Sequence, residues 1–270
     1  MSKSLKKSSN LYMNFVKSLI FGIIISTVTF FCALGYVKGN SNNITHIFLQ
    51  QYGNLFIKND SYSIEVAIFL LPHFYLLYIW GQETSIIMTK FGAYIFTRTD
   101  KRSNWIINRY AILGLRIFIY YIFQFLVTLI LGIALGFKLY VSIYFLQVIS
   151  FELLMVTLSA YLIILLSNTL SLIVDFMYSF TMVIFLEVAS LCYCHLVYSL
   201  NLNCGMIKYI PFCQGVFLWH DSNLLHNAEL SLNSSVIKDF SLVYSVSYLL
   251  FLIFIVIFCS NLIIKKIDVY

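Results

Sequence analysis

The sequence predicts an all-α polytopic membrane protein with six transmembrane helices and both termini in the cytoplasm. Three observations lead there. Of the 270 residues, 61% are hydrophobic and only 10% are charged, against about 45–50% and about 25% in an ordinary soluble domain; mean hydropathy is +0.89. So few charges leave too little polar surface to face water. The apolar residues also fall in long runs, near the ~20 residues a helix needs to cross a hydrocarbon core of ~30 Å. Finally, Lys and Arg gather between alternate runs. The scarcity of proline, two in all, suits long helices, and the alternating segments of ~10 residues that mark an outer-membrane barrel are absent.

Lys3, Lys6, Lys7 and Lys17 precede the first run, roughly 18–37. A signal peptide has a similar opening, but this run is long enough to span and no small-x-small cleavage site ends it. An uncleaved helix is expected. Ahead of it, Leu5, Leu11, Tyr12 and Phe15 oppose Lys3, Lys6, Lys7 and Asn10, an amphipathic pattern suited to a headgroup surface. The second run, 64–80, is short and contains Pro72, which membrane helices tolerate, usually with a kink. Residues 82–110 form a loop with structure of its own. From Gln82 to Thr99, Ile87, Phe91, Tyr94 and Ile95 repeat at helical spacing against Ser85, Thr89, Lys90 and Thr97. Asp100-Lys101-Arg102-Ser103 reads as a break, with Ser103 or Asp100 able to cap a short helix over 104–110.

The remaining spans are expected near 111–135, 139–166, 170–198 and 242–264, with a polar loop at 199–241. Backbone groups in lipid must be satisfied within their own segment, so each span is a helix. In the long loop, YIPFCQGVFLWHD (209–221) is apolar but too short to cross. A re-entrant or interface-lying pair of short helices is expected there. Gly132 and Gly136 have a spacing that permits close helix approach. The chain reads as one transmembrane domain over 1–270, without repeats.

With the N terminus inside, Lys3, Lys6, Lys7, Lys17, Lys90, Arg98, Lys101, Arg102, Arg109, Lys265 and Lys266 share one side. The other holds Lys38, Lys58, Lys138, Lys208 and Lys238, mixed with Asp60, Glu65, Asp221, Glu229 and Asp239. The bias makes 82–110 a cytoplasmic loop and 199–241 an extracellular one. The net charge of +6 is punctuation between spans and not a patch for nucleic acid.

The residue inventory excludes several chemistries. No G-x-x-x-x-G-K-[ST] loop is present to cradle a nucleotide phosphate, and neither H-E-x-x-H nor G-x-S-x-G occurs. No enzymatic activity is expected. His195, His220 and His226 lie near Cys192, Cys194, Cys204 and Cys213 without a ligand rhythm, so no metal is expected. Cys204 and Cys213 can pair across the outer loop or remain thiols; spacing leaves both open. The intramembrane polar candidates are Arg116, Glu152, Asp175 and Glu187, since ionisable groups within spans face other helices or a water-filled path. Arg116 and Asp175 have equal depth and opposite sign, which makes them candidate partners. Glu152 and Glu187 lie nearer the midplane without an evident basic partner. These four line a translocation path, or are satisfied singly by hydroxyls between packed helices.

The stretch Gly92-Ala-Tyr-Ile-Phe-Thr-Arg98-Thr-Asp-Lys101-Arg102-Ser-Asn-Trp105, set between the second and third of six spans, resembles the type-2 permease family of ABC transporters. It is most similar to small permeases of low-GC Gram-positive bacteria associated with bacteriocin export, peptide immunity or antimicrobial-peptide resistance. The chain departs from many relatives in lacking a large extracellular domain and a fused ATPase. The resemblance implies a bacterial cell-membrane protein that binds no cofactor itself and relies on ATP-Mg in a separate cytoplasmic ATP-binding subunit. It implies a coupling helix around 103–110, with Arg98, Lys101, Arg102, Trp105 and Arg109 at the ATPase. It also implies a second permease copy or paralogue, a membrane-lipid environment, and short extracellular helices around 205–226 as an outer gate. An amphiphilic peptide or lipid-like cargo is the expected substrate. Two alternatives stand beside it: a polytopic immunity or scaffold protein that binds a peptide or partner without ATP-driven transport, and an intramembrane enzyme built on Glu152, Asp175 or Glu187.

Overall fold

The computed structural model describes all residues except 1, 38–42, 54, 56–61, 97–101, 201, 203, 223, 225–235 and 267–270. It contains eight α-helices among the described residues: α1 (Ser2–Val37), α2 (Ile44–Tyr52), α3 (Tyr62–Trp80), α4 (Glu83–Phe96), α5 (Arg102–Ala134), α6 (Ile143–Leu170), α7 (Phe176–Ser199) and α8 (Leu242–Lys266). Three short 3-10 turns lie at Cys204–Tyr209, Pro211–Cys213 and Phe217–Trp219, and no β-strand forms among the described residues. Six helical stretches are long and apolar enough to cross a membrane: Phe15–Gly35, Ile64–Lys90, Arg102–Ala134, Ile143–Leu170, Phe176–Ser199 and Leu242–Lys266. The chain is therefore a multi-pass, all-helical membrane protein.

Two expected spans start later than their hydropathy indicates. Residues 139–141 are apolar but not helical. Ser142 is extended (φ −119°, ψ 163°), and its hydroxyl accepts from Phe145 N at 3.1 Å, capping α6. The turn at 171–175 delays α7 to Phe176. Such shifts follow from backbone hydrogen bonding at helix ends, which hydropathy does not register.

A separate helix over 104–110 is not observed. α5 runs 33 residues without a break, about 50 Å at ~1.5 Å per residue, so it is longer than a bilayer core. Its buried residues Ile106, Tyr110, Leu113, Ile117, Tyr120 and Tyr121 continue one stripe from the basic end into the bundle. With no proline in that stretch and a common packing face, the chain has no reason to turn at 110. α1 likewise joins the amphipathic N-terminal segment and the first span in one helix.

α6 is the most enclosed span, 61% of its most apolar window being buried against 28% for both α7 and α8. It contacts α2, α3, α4, α5, α7 and α8. The exposed large apolar residues of α7 and α8, such as Phe185, Phe251 and Phe254, face outwards as lipid-immersed helices require.

α2 was not expected. Asn43 caps it through Thr45 N at 3.1 Å, and all its residues except His46 are buried. Gly132 serves this helix, because a Cβ there would come within 2.6 Å of Ile44 Cδ1. Gly136 sits in the following turn at φ 85°. The two glycines thus do not form a span–span packing pair.

Candidate functional site

Polar side chains from three helices meet inside the bundle around α2. Gln51 Nε2 donates to Ser26 O at 3.1 Å and to Thr29 Oγ1 at 2.8 Å on α1. Its Oε1 accepts from the Thr128 hydroxyl of α5 at 3.0 Å. With that proton committed, the Tyr52 hydroxyl donates to Thr128 Oγ1 at 3.0 Å. Ser26 donates to Gln124 O at 3.1 Å, and Gln124 Nε2 to the Tyr120 hydroxyl at 3.0 Å. Net, each such bond is worth ~1 kcal/mol, but an orphaned member costs ~1–3 kcal/mol, so the set holds α2 inside the bundle. Beside it is a cavity of about 20 Å³ whose lining includes Thr29, Gln50, Gln51 and Glu65, room for one water.

Glu152 of α6 is fully buried, and neither carboxyl oxygen has a partner among the described residues. Its Oε1 lies against Gly53, where a Cβ would approach to 2.8 Å. Glu187 of α7 is different. Its Oε1 is 2.6 Å from His73 Nδ1 on α3, with both side chains buried, while Oε2 has no partner. The missing partner of Glu187 is thus a histidine beside Pro72. A lone His in an apolar run is the one signal that points to it.

The expected Arg116–Asp175 pair does not form. Arg116 Nη1 meets both carboxyl oxygens of Glu83 at 2.9 Å, each side chain under one-fifth exposed. Asp175 precedes α7, in the turn and not in the span, and is exposed. Because α7 begins at Phe176, Asp175 has no buried charge to neutralise, whereas Glu83 opens α4 directly beside α5. The elbow between α3 and α4 is pinned by the end of α6. Asn168 Oδ1 accepts from Thr84 N at 2.9 Å, Asn168 Nδ2 donates to Trp80 O at 2.7 Å, and Ser167 Oγ donates to Gly81 O at 3.1 Å.

At the basic end, where α1 and α5 start and α8 ends with Lys265 and Lys266, Trp105 packs in part against the main apolar cluster. The Arg109 guanidinium lies 5.8 Å over its ring, a cation–π contact. Trp105 is therefore half-buried against its own bundle. Asn104, Ile107 and Asn108 face outwards, with Arg102 and Arg109 half-buried. Arg98 and Lys101 lie outside the described residues.

At the opposite end, residues 204–220 fold back into the bundle, as expected for a re-entrant segment, though as 3-10 turns and not as a helix pair. Residues 213–220 are all buried. Trp219 Nε1 donates to Leu55 O at 2.8 Å, and Leu218 N donates to Gly53 O at 2.9 Å. His220 Nδ1 is 3.0 Å from Phe217 O, which can only accept, so Nδ1 carries the proton and Nε2 accepts from Ser245 at 2.7 Å. Burial lowers the His220 pKa to about 4, in keeping with that neutral tautomer. The Cys213 Sγ is 2.7 Å from Cys194 Sγ on α7, while the Cys204 Sγ meets Leu202 O at 3.5 Å. No group of three or more metal-ligating side chains occurs among the described residues.

No protein-family model, curated protein or solved structure matches this chain.

Proposed function

We propose that the chain is the membrane-spanning permease subunit of an ABC transporter in a bacterial cell membrane. It exports or clears an amphiphilic peptide or lipid-like substrate, pairs with a second permease copy or paralogue, and draws on ATP hydrolysed by a separate cytoplasmic subunit. The observation that carries this reading is the α3–α4–α5 unit. An elbow pinned to α6 leads into α4, α4 is stapled to α5 by Glu83–Arg116, and α5 passes unbroken from the basic end into the bundle. A push on the loop before Arg102 is then transmitted along one rigid helix to the polar groups at Thr128 and Gln124. Lys/Arg asymmetry supports placing this end in the cytoplasm. The inserted segment 204–220 is where an outer gate is expected.

Mechanically, separation of α5 from α1 and α2 opens the hydrogen-bonded set around Gln51 and leaves a polar lining in an otherwise apolar wall. That suits cargo with both characters. Few charges line it, so a strongly ionic solute has little to compensate its desolvation.

The reading expects an ATP-binding subunit encoded beside this gene and is tested by co-purification with it. Asn104→Glu combined with Ile107→Glu, both on the outward side of α5, is expected to release the ATPase while the membrane protein stays folded. Undiminished ATPase binding by that variant counts against the coupling role. The scaffold alternative predicts full function with a hydrolysis-dead ATPase, whereas the transporter reading predicts none.

A further inference from the structure

Two of the six cysteines are brought together by pieces of backbone that are fixed independently. On α7, the buried stripe Glu187, Leu191, Cys194 and Val197 turns Cys194 towards the re-entrant segment, while Cys192 and Tyr193 face outwards. Cys213 ends the second 3-10 turn. The next residue, Gln214, locks the local chain by donating from Nε2 to Lys208 O at 2.7 Å and to Ile210 O at 3.1 Å. Trp219 and Leu218 fix the segment again at Leu55 and Gly53. The result places both sulfurs in a fully buried apolar cluster, 2.7 Å apart. Cys204, the partner that sequence proximity favours, is half-buried and directs its sulfur to Leu202 O at 3.5 Å.

We propose that Cys194 and Cys213 form a disulfide that staples the 204–220 segment to α7. The pairing rests on the topology proposed above, which puts this end of the bundle outside the cell, where disulfides persist. Its formation is thiol–disulfide exchange with an extracellular disulfide, either low-molecular-weight or enzyme-borne. One cysteine thiolate attacks a sulfur of the oxidant, breaking its S–S bond, releasing one thiol and leaving a mixed disulfide. The second thiolate attacks that bond, forms the Cys194–Cys213 bond and expels the second thiol. The two protons and two electrons of the protein thiols end on the reduced oxidant.

Exchange precedes closure of the segment, because once packed neither sulfur meets solvent. Burial also pushes the Cys213 thiol up, away from the reactive thiolate. The same burial then shields the finished bond from reductants. One mechanical consequence follows. The segment and α7 move as a single piece, so opening at this end carries α7 with it.

The test uses the full-length protein from membranes, denatured and alkylated without reductant, then mapped by peptide mass spectrometry. The expected result is a Cys194–Cys213 cross-linked peptide, with alkylation confined to Cys32, Cys192, Cys204 and Cys259; reductant added first makes all six react. Alkylation of all six without reductant, or a cross-link to Cys204, overturns the proposal. Cys194→Ser is expected to free Cys213 for alkylation, and Cys213→Ser to free Cys194; a variant in which the remaining thiol stays blocked also overturns it. A separate variant, Lys238→Cys in a Cys204→Ser background, is treated in intact cells with a membrane-impermeant maleimide. Lys238 is exposed. Labelling at the substituted position without a cross-link overturns the disulfide alone and leaves the topology standing, whereas no labelling overturns both.

Discussion

Gly81→Ala tests the elbow that links α3 to α4. A methyl at this position would lie 2.3 Å from Leu77 O, 2.9 Å from Ser167 Oγ and 3.2 Å from Leu77 Cδ1. The nearest obstacle is backbone, so no rotamer change relieves it. The chain must open the turn, which loosens two hydrogen bonds: Gly81 N to Leu77 O at 2.8 Å and Ser167 Oγ to Gly81 O at 3.1 Å. Overpacking costs ~1–3 kcal/mol, and each of the two weakened buried bonds adds ~1 kcal/mol, for a total of ~3–5 kcal/mol. For a chain of this size the melting temperature should fall by roughly 6–20 °C. The assay is a thermal melt of purified protein in detergent, with Gly35→Ala as control. A Cβ at Gly35 meets nothing within 4 Å, so that variant should melt at or slightly above the parent, since Gly→Ala in a helix gains ~0.5–1 kcal/mol. Ser167→Ala in the Gly81→Ala background removes the 2.9 Å contact but not the carbonyl, so it should not rescue. A Gly81→Ala protein that melts alongside the Gly35→Ala control would falsify the steric account of the elbow.

Reversing Arg116→Glu or Glu83→Arg singly leaves a poorly solvated charge without its partner and should cost ~1–3 kcal/mol, a figure discounted for partial exposure. The double reversal should recover part of that loss in a thermal-melt cycle, and strictly additive losses refute the pairing. Glu152→Met replaces two unpartnered oxygens by a side chain of similar length and should raise the melting temperature by several degrees, corresponding to ~1–3 kcal/mol. If Glu152 serves transport, the same variant loses export activity; a destabilised Glu152→Met protein refutes the reading of an unsatisfied carboxyl. For His220 the folded value, about 4, lies below its ordinary 6.5, so the unfolded state binds more protons between those limits. Its contribution is complete above pH 6.5 and is lost as pH falls towards 4, up to about 3 kcal/mol at ~1.4 kcal/mol per unit. Melts from pH 7.5 to 4.5 should steepen in acid for the parent but not for His220→Gln, and an unchanged slope in the variant rules out this histidine as the cause.

The six spans were legible because length and apolarity are properties of a run. What meets a run is not. α2 reads as a loop, since Ile44–Tyr52 is short and carries His46, Gln50 and Gln51. Its burial depends on Ser26, Thr29 and Thr128, which in the sequence are isolated hydroxyls inside two different spans. The same separation misdirected Arg116. Depth and sign favoured Asp175, but depth was counted from a helix start that the turn at 171–175 moved, and the true partner, Glu83, looked like a surface residue. The basic stretch around Arg102 was visible as charge. Its continuity with the third span depends on Ile106, Tyr110 and Leu113 sharing one stripe, a pattern the polar residues between them obscured.

The bundle's buried polar atoms divide into two populations, and the division bears on how it moves. Around Gln51 most donors and acceptors are satisfied, a set that has to be broken before α5 parts from α1 and α2. Around α6 and α7 they are not: both oxygens of Glu152, Oε2 of Glu187, and the hydroxyls of Thr157 and Tyr121 lack partners among the described residues. At ~1–3 kcal/mol for each, this arrangement carries a cost of several kcal/mol. The apolar packing of Phe217, Leu218 and Trp219, fully buried and worth ~1.5–3 kcal/mol apiece when withdrawn from water, is enough to offset it. A state in which 204–220 withdraws loses that packing but lets water reach Glu152, through the gap now closed at Gly53. Water there relieves only the two Glu152 oxygens, ~1–3 kcal/mol each, so the packing of Phe217, Leu218 and Trp219 keeps the segment closed until force is applied elsewhere in the bundle, the condition an outer gate driven from the far end of α5 has to meet.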